Sequence, residues 1–288
     1  MKFILSRKGF DSSAGGVPSP ILPDGRLLSL PIPDKQSPIA YGDIKFDGGS
    51  IAPLVSDLTQ GRIPSHYRAH LDPDLSPESL PRLAGWRPIF GQTGAAQGHL
   101  RKNGVGRDDI FLFFGLFRRA SVTRGRYGWA TEAQPCHVLW GWLQIGEILS
   151  LATAEPEGYE WAAYHPHLHR GRETNNVLYV SAPYLNLDSV GPQKIPGAGV
   201  FPYFSASRQL TAPSAPSPSI WELPRWFFPE EERTPLTYHA DLGRWRRTAS
   251  RTELRTVARG QEFILDCNEY PEVIPWVLGL LQEKENVC

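Results

Sequence analysis

His137-Val138-Leu139-Trp140-Gly141-Trp142-Leu143-Gln144-Ile145-Gly146-Glu147-Ile148 is the stretch on which the fold reading turns. Both of its faces are largely apolar, as in a strand covered on two sides, and its two glycines suit bends or bulges. Asp108-Asp109 lead into a second such run, Ile110-Phe111-Leu112-Phe113-Phe114-Gly115. Shorter runs at Phe3-Ile4-Leu5, Val177 to Val180 and Glu262 to Leu265 read as further strands, and Tyr41 to Asp47 alternates enough for an edge strand. A helix is expected over residues 93–103, with Thr93 placed to cap it and Asn103-Gly104 to end it. A second is expected over residues 273–283, where Pro275 fits the first turn. The pattern predicts an α+β protein: a mostly antiparallel, barrel-like sheet with peripheral helices and long Pro-rich loops. One domain over residues 1–288 is expected.

Two segments stand outside the strands. Residues 12–40 carry Pro18, Pro20, Pro23, Pro31, Pro33 and Pro38, which exclude a helix and suggest an extended strap with a turn at Pro23-Asp24-Gly25. Residues 211–219, rich in Pro and Ser, read as an internal loop.

Composition narrows the function classes. The 30 basic and 30 acidic side chains cancel, which argues against a broad electrostatic coat for nucleic acid. No run of about eighteen apolar residues exists, so no membrane partner is expected. Ser6-Arg7-Lys8 interrupts the N-terminal apolar run at once, so no signal peptide is expected and a cytoplasmic location is predicted. Cys136, Cys267 and Cys288 read as reduced thiols. Nine tryptophans supply faces that serve packing or base stacking.

Five constellations carry chemistry. Ser6-Arg7-Lys8-Gly9-Phe10-Asp11-Ser12-Ser13-Ala14-Gly15-Gly16 follows the first strand with two cations, a carboxylate, hydroxyls and glycines, a loop suited to an anionic or nucleotide-like ligand. It is not a Walker loop, because no Gly-Lys-Ser/Thr follows. A surface turn with a local Arg–Asp pair is the competing reading. His66, His70, Asp72 and Asp74 fall within nine residues and suit proton transfer or metal ligation, against a loop in which the Asp side chains cap turns. His165-Pro166-His167-Leu168-His169 would need a further ligand from elsewhere, such as Cys136 or His137, and a single His facing a nucleotide serves as well. No metal set is assigned, and no cofactor is indicated. Phe113, Phe114, Trp140 and Trp142 fall in adjacent strands and suit either a packed core or a base slot. Trp221 and Trp226 are candidate exposed platforms. Arg244-Trp245-Arg246-Arg247 with Arg251, Arg255 and Arg259 is a basic cluster that suits phosphate, or a solvated helix face paired with Glu230, Glu231 and Glu232.

Several of these stretches resemble one family, the third of the nucleotide modification associated domains. The resemblance is carried by Ser6 to Asp11 and Pro18-Ser19-Pro20, by Leu30-Pro31-Ile32-Pro33, and by His70-Leu71-Asp72-Pro73-Asp74. Gly98-His99-Leu100, Asp109 to Gly115, Trp140 to Gly146 and Arg259 to Phe263 complete it. It implies association with bacterial and phage systems that install or handle modified DNA bases. Asp109 to Phe114 with Trp140 to Glu147 also resembles the paired strands of PUA, ASCH and EVE-type barrels, which hold a nucleobase on a small β-barrel.

The expected function is therefore recognition or processing of a modified base or nucleotide in DNA. The expected partners are that nucleotide and other DNA-modification proteins. Lys8, Asp11, His70, Asp72 and Asp74 are the candidate catalytic residues. Arg7, Ser13, Phe114, Trp140, Trp142 and His167 are the candidate nucleotide-binding residues. Whether there is catalysis stays open. The alternatives are a non-catalytic reader of a flipped base, in a pocket of Phe114, Trp140 and Trp142, and a structural subunit of a modification complex. Lys8→Ala is expected to weaken binding with little loss of stability.

Overall fold

The computed structural model describes residues 1–152, 157–170, 173–187, 194–230, 232–257 and 260–283. Cys288, Arg259 and Glu231 lie outside the described residues.

The fold is mixed α+β and mainly sheet. Numbering only the strands of the main sheet, these are β1 (Lys2–Arg7), β2 (Ser19–Ile21), β3 (Ile89–Gln92), β4 (Ile110–Thr123), β5 (Arg126–Trp129), β6 (Cys136–Ser150), β7 (Val177–Ser181), β8 (Ala198–Val200) and β9 (Glu262–Asp266). Their order is β9-β1-β4-β6-β7-β3, with β2 and β5 on β4 and β8 on β6. Pairing is antiparallel except for β1 with β4 and β2 with β4. The two apolar runs of the sequence are thus neighbours, β4 and β6, at the centre. Both glycines of β6 mark register shifts, between Leu139 and Gly141 and between Ile145 and Glu147.

Both faces of this central pair are covered, which accounts for the unbroken apolar runs. On one face Phe111 and Phe113 meet Phe90 at 5.0 and 5.2 Å, and Tyr179 stacks on Phe90. On the other, Phe114 meets Trp221 at 5.0 Å and Phe263 at 6.0 Å. Trp221 comes from a small sheet of Ile220–Pro224, Arg251–Arg255 and Trp245–Arg247 that packs over this face. Phe90 lies on the last strand of the sheet and reaches the central one, so the sheet curls.

The expected barrel does not close. Among the described residues, β9 and β3 end the sheet without backbone pairing to each other. Side chains bridge them instead: Gln92 Nε2 donates to Glu262 Oε1 at 2.6 Å.

Among the described residues, three α-helices lie outside the sheet: α1 (Ala52–Leu58), α2 (Gly94–Lys102) and α3 (Val273–Gln282). The last two fall where the spacing placed them. Thr93 does not cap α2 with its side chain; its Oγ1 donates to Glu173 Oε2 instead. The strap packs its own core with α1, from Phe10, Leu30, Ile39, Tyr41 and Val55.

Three expectations need correction. Tyr41 to Asp47 is not an edge strand: Tyr41 is fully buried with its hydroxyl donating to Pro31 O, and only Lys45–Phe46 pairs, with Gly49–Ser50. Trp221 is no exposed platform but the closed centre of a face, and Trp226 stacks on Phe227 at 4.1 Å. The Arg244 cluster lies on a short 3₁₀ turn and the small sheet rather than on a helix, and Arg246, Arg247 and Arg251 pair with Glu253, Glu230 and Glu222. Cys136 and Cys267 are free thiols.

Under Trp221 sits His137, whose Nδ1 accepts from Trp221 Nε1 at 2.9 Å. Burial, with the Arg7 charge, lowers the imidazole to about 3 from 6.5. The unfolded chain therefore takes up a proton below about pH 6.5 that the folded chain refuses until about pH 3. This group opposes folding progressively as pH falls through that window and leaves stability untouched above it. Equilibrium unfolding of His137→Gln should show a pH dependence between pH 6 and 4 shallower by close to one proton, about 1.4 kcal/mol per pH unit. An unchanged slope would show that His137 is charged in the folded state.

Candidate functional site

A cleft of about 730 Å³ opens beside the gap between the sheet edges. The loop after β1 contributes Arg7, Lys8, Asp11 and Ser13. The segment before β3 contributes His70 and Asp72, and β3 itself Gly91 and Gln92. His167 and Arg170 come from a 3₁₀ turn, and Tyr238, Gln261 and Glu262 from the far edge. Residues separated by more than 250 positions therefore share one wall.

Asp11 organises the first loop. Its Oδ1 accepts from Ser13 N, Ser13 Oγ and Ala14 N at 2.6–2.8 Å, and its Oδ2 from Arg7 at 2.9 Å. Burial works against this carboxylate, but the Ser13 and Ala14 hydrogen bonds and the Arg7 charge hold it below its ordinary range. Asp11 fixes Arg7 and leaves little of itself for a ligand. Lys8 Nζ donates to Glu262 Oε1 at 2.9 Å and lies over the Phe90 ring at 4.7 Å. Arg170 reaches Asp34 at 3.3 Å.

The N-terminus of α2 faces the same space through Thr93, Ala95 and Ala96. The first N–H groups of a helix have no partner within it and carry partial positive charge. With no side-chain cap from Thr93, these N–H groups join Arg7 and Arg170 as donors for an anion.

Deeper in the cleft, three side chains converge on one point. His70 Nε2 and His167 Nε2 lie 3.5 and 3.6 Å from the same oxygen, Asp72 Oδ2. The other oxygen, Oδ1, accepts from Gly91 N at 2.7 Å and lies 3.3 Å from His165 Nε2. The rings are held from behind: His70 Nδ1 is 2.8 Å from Asp34 Oδ2, and His167 Nδ1 is 2.6 Å from Asn176 Oδ1. His167 presses so closely on β3 that a Cβ at Gly91 would sit 2.3 Å from its ring, so only glycine fits. Asp34 is held at about 2, through its hydrogen bond to His70. Asp72 stays ionised although little of its side chain meets the cleft, because His165, His167 and His70 surround it. Burial lowers His70, yet the hydrogen bond to Asp34 and the negative charge of Asp72 beside it prevail and raise it above its ordinary value. His165, sealed from solvent, is lowered by that burial.

Four residues picked from the sequence sit elsewhere. Asp74 is fully buried and gripped by Arg82 at 2.7 Å to each oxygen, with the Tyr164 hydroxyl donating to it at 2.5 Å. Its backbone pairs with Ile89 in both directions. Asp74 thus anchors the segment that presents Asp72. Phe114 is buried in the face under Trp221. Trp142 packs on Phe201 and donates to Pro196 O. Trp140 lines a smaller cavity of about 110 Å³ under the strap, which shares Gly9 and Asp72 with the cleft. The cleft also holds side chains that the sequence reading did not single out: Gln92, Arg170, Tyr238 and Glu262. Tyr238 is 48 % exposed, with one ring face against His99 at 4.5 Å.

A family model described as nucleotide modification associated domain 3 matches residues 2–266. No curated protein and no solved structure matches the chain.

The Lys8–Glu262 pair changes what Lys8→Ala should do. Glu262 is 1 % exposed, so removing Lys8 strands an ionised carboxylate inside the protein. Lys8→Ala should destabilise the protein by about 3 kcal/mol, and the double variant Lys8→Met/Glu262→Gln should recover most of that loss. Chemical denaturation of the three proteins checks this. A single variant as stable as the parent would mean that Glu262 is not charged.

Proposed function

This chain belongs to the nucleotide modification associated domain 3 family, and on that premise we propose that the cleft binds and processes a nucleotide, free or as a unit of DNA, that carries a modified base. The observation that carries this reading is the convergence, in one cleft, of an anion-binding end and a histidine–aspartate set. The α2 N-terminus, Arg7 and Arg170 take a phosphate. Tyr238 at the rim offers an aromatic face to the base. His70, Asp72 and His167 then face the part of the nucleotide that reacts. A titratable set on the wall favours processing over passive reading. The protein acts as a single domain in the cytoplasm, within a bacterial or phage DNA-modification system.

Electrostatics supports a pocket over a DNA-coating surface. Each cation in the cleft has a carboxylate partner, and the chain has no net charge. Affinity must come from a compact ligand seated among directed donors, not from neutralising a run of phosphates.

Calorimetric titration with nucleotides, and with matched oligonucleotides, that differ only in one base modification tests the reading. The parent protein should bind with a preference that survives moderate salt. Arg7→Gln and Arg170→Gln should each weaken binding about 10- to 100-fold, the loss of a charge-assisted hydrogen bond worth roughly 1.5–3 kcal/mol. Equal affinity for modified and unmodified ligands across a salt series would put the structural-subunit reading in front.

A further inference from the structure

We infer that His70, Asp72 and His167 form a binding site for a divalent first-row transition metal ion. Read along the chain, neither histidine tract makes a metal site. Folded, one residue of the second tract joins two of the first, and the three ligand atoms lie within 4.8 Å of one another.

The distances decide between a proton and a metal as the species that holds these groups together. A charge-assisted N–H···O bond would draw the atoms to about 2.7–2.9 Å. The observed separations from Asp72 Oδ2 are 3.5 and 3.6 Å. Metal–ligand bonds of about 2.0–2.1 Å at tetrahedral angles space ligand atoms by roughly 3.4 Å. The set is too open for hydrogen bonds and correctly open for an ion.

The tautomers point the same way. Asn176 Nδ2 donates to His167 O at 2.7 Å, which fixes the amide so that Oδ1 faces His167 Nδ1. Nδ1 must then carry the proton, which leaves the Nε2 lone pair directed at Asp72 Oδ2. Asp34 does the same for His70, whose neutral ring then carries its proton on Nδ1 and turns the Nε2 lone pair to Asp72 Oδ2. Two imidazole lone pairs and a carboxylate oxygen aimed at one point repel one another unless a cation sits between them. Acceptors behind both ligating rings are the outer shell that metal sites use to orient histidine.

Three protein ligands leave further coordination positions, and all three residues line the cleft. An ion there would be reachable by a ligand in the cleft, as in catalytic rather than closed structural sites. Two imidazoles with one carboxylate suit zinc or iron(II) over magnesium or calcium. That the ion would serve the nucleotide rests on the function proposed above; the metal site itself does not.

Chelator-treated protein should be titrated with Zn²⁺, Co²⁺ and, without oxygen, Fe²⁺, following stoichiometry by calorimetry and coordination by the visible spectrum of Co²⁺. One equivalent should bind the parent protein. His167→Gln and His70→Gln should each weaken it by more than about 100-fold, and Asp34→Asn, which keeps all three ligands, by about 10- to 100-fold. His66→Gln and Arg7→Gln should bind as the parent does. Circular dichroism on each variant separates ligand loss from misfolding, and Asp34→Asn carries the test if either histidine variant fails to fold. No stoichiometric binding, or binding undiminished in Asp34→Asn and a folded histidine variant, would overturn the proposal. Because Arg7→Gln should lose nucleotide and keep metal, either proposal can fail without the other.

Discussion

A single buried carboxylate stands where this sheet almost closes. Glu262 begins one end strand, Gln92 ends the other, and Lys8 leaves the strand between Glu262 and the centre. Both donate to the same oxygen of Glu262. An ionised carboxylate out of water is costly unless its partners are held close. That requirement couples the curl of the sheet to the position of the first loop. Backbone pairing at the seam would have made a barrel with a packed interior. A side-chain bridge leaves a gap, and the cleft opens in it.

The rest of the cleft follows from polar groups that must be satisfied once the gap exists. Asp74 has no route to solvent, so Arg82 and Tyr164 enclose it, and its two backbone bonds to Ile89 lock the segment to the sheet. Two residues earlier, Asp72 falls opposite Gly91 N, where it collects three histidines. The strap crosses above with its own apolar core and supplies Asp34, which orients His70. The irregular, proline-rich segments thus hold the parts of the cleft that regular elements cannot reach.

How much of this was legible in the sequence depended on the range of the interaction. Local period and turn chemistry gave β1, β4, β6, α2 and α3, because short apolar runs and a helix stop act over a few residues. The convergence of Arg7, Lys8, Asp11, Ser13, His70, Asp72 and His167 in one cleft was foreshadowed only as residue types suited to chemistry. Whether a charge is free is a long-range question. Asp72 and Asp74 are alike in sequence, yet one meets histidines and the other Arg82. Phe114 and Trp142 looked like a base slot because an apolar run does not say what will cover it. Gln92, Arg170 and Glu262 carried no local signal, since each acts through a partner between 136 and 254 positions away. Arg170 to Asp34, for instance, spans 136.

The same pairing accounts for a chain that lines a cleft with cations and yet has no net charge. Arg7, Lys8 and Arg170 each face an acid, so the apo cleft avoids the self-repulsion that bare cations would suffer at close quarters. The acids differ in what they leave available. Asp11 and Asp34 are held by other donors as well, Ser13 and Ala14 in one case and His70 in the other, so neither needs its arginine exclusively. Glu262 is buried and depends on Lys8. Arg7 and Arg170 can therefore turn part of their forks to an incoming anion at small cost, whereas Lys8 cannot leave Glu262 without exposing the cost of its burial. Within one cleft, the arginines suit binding and the lysine suits holding the fold together.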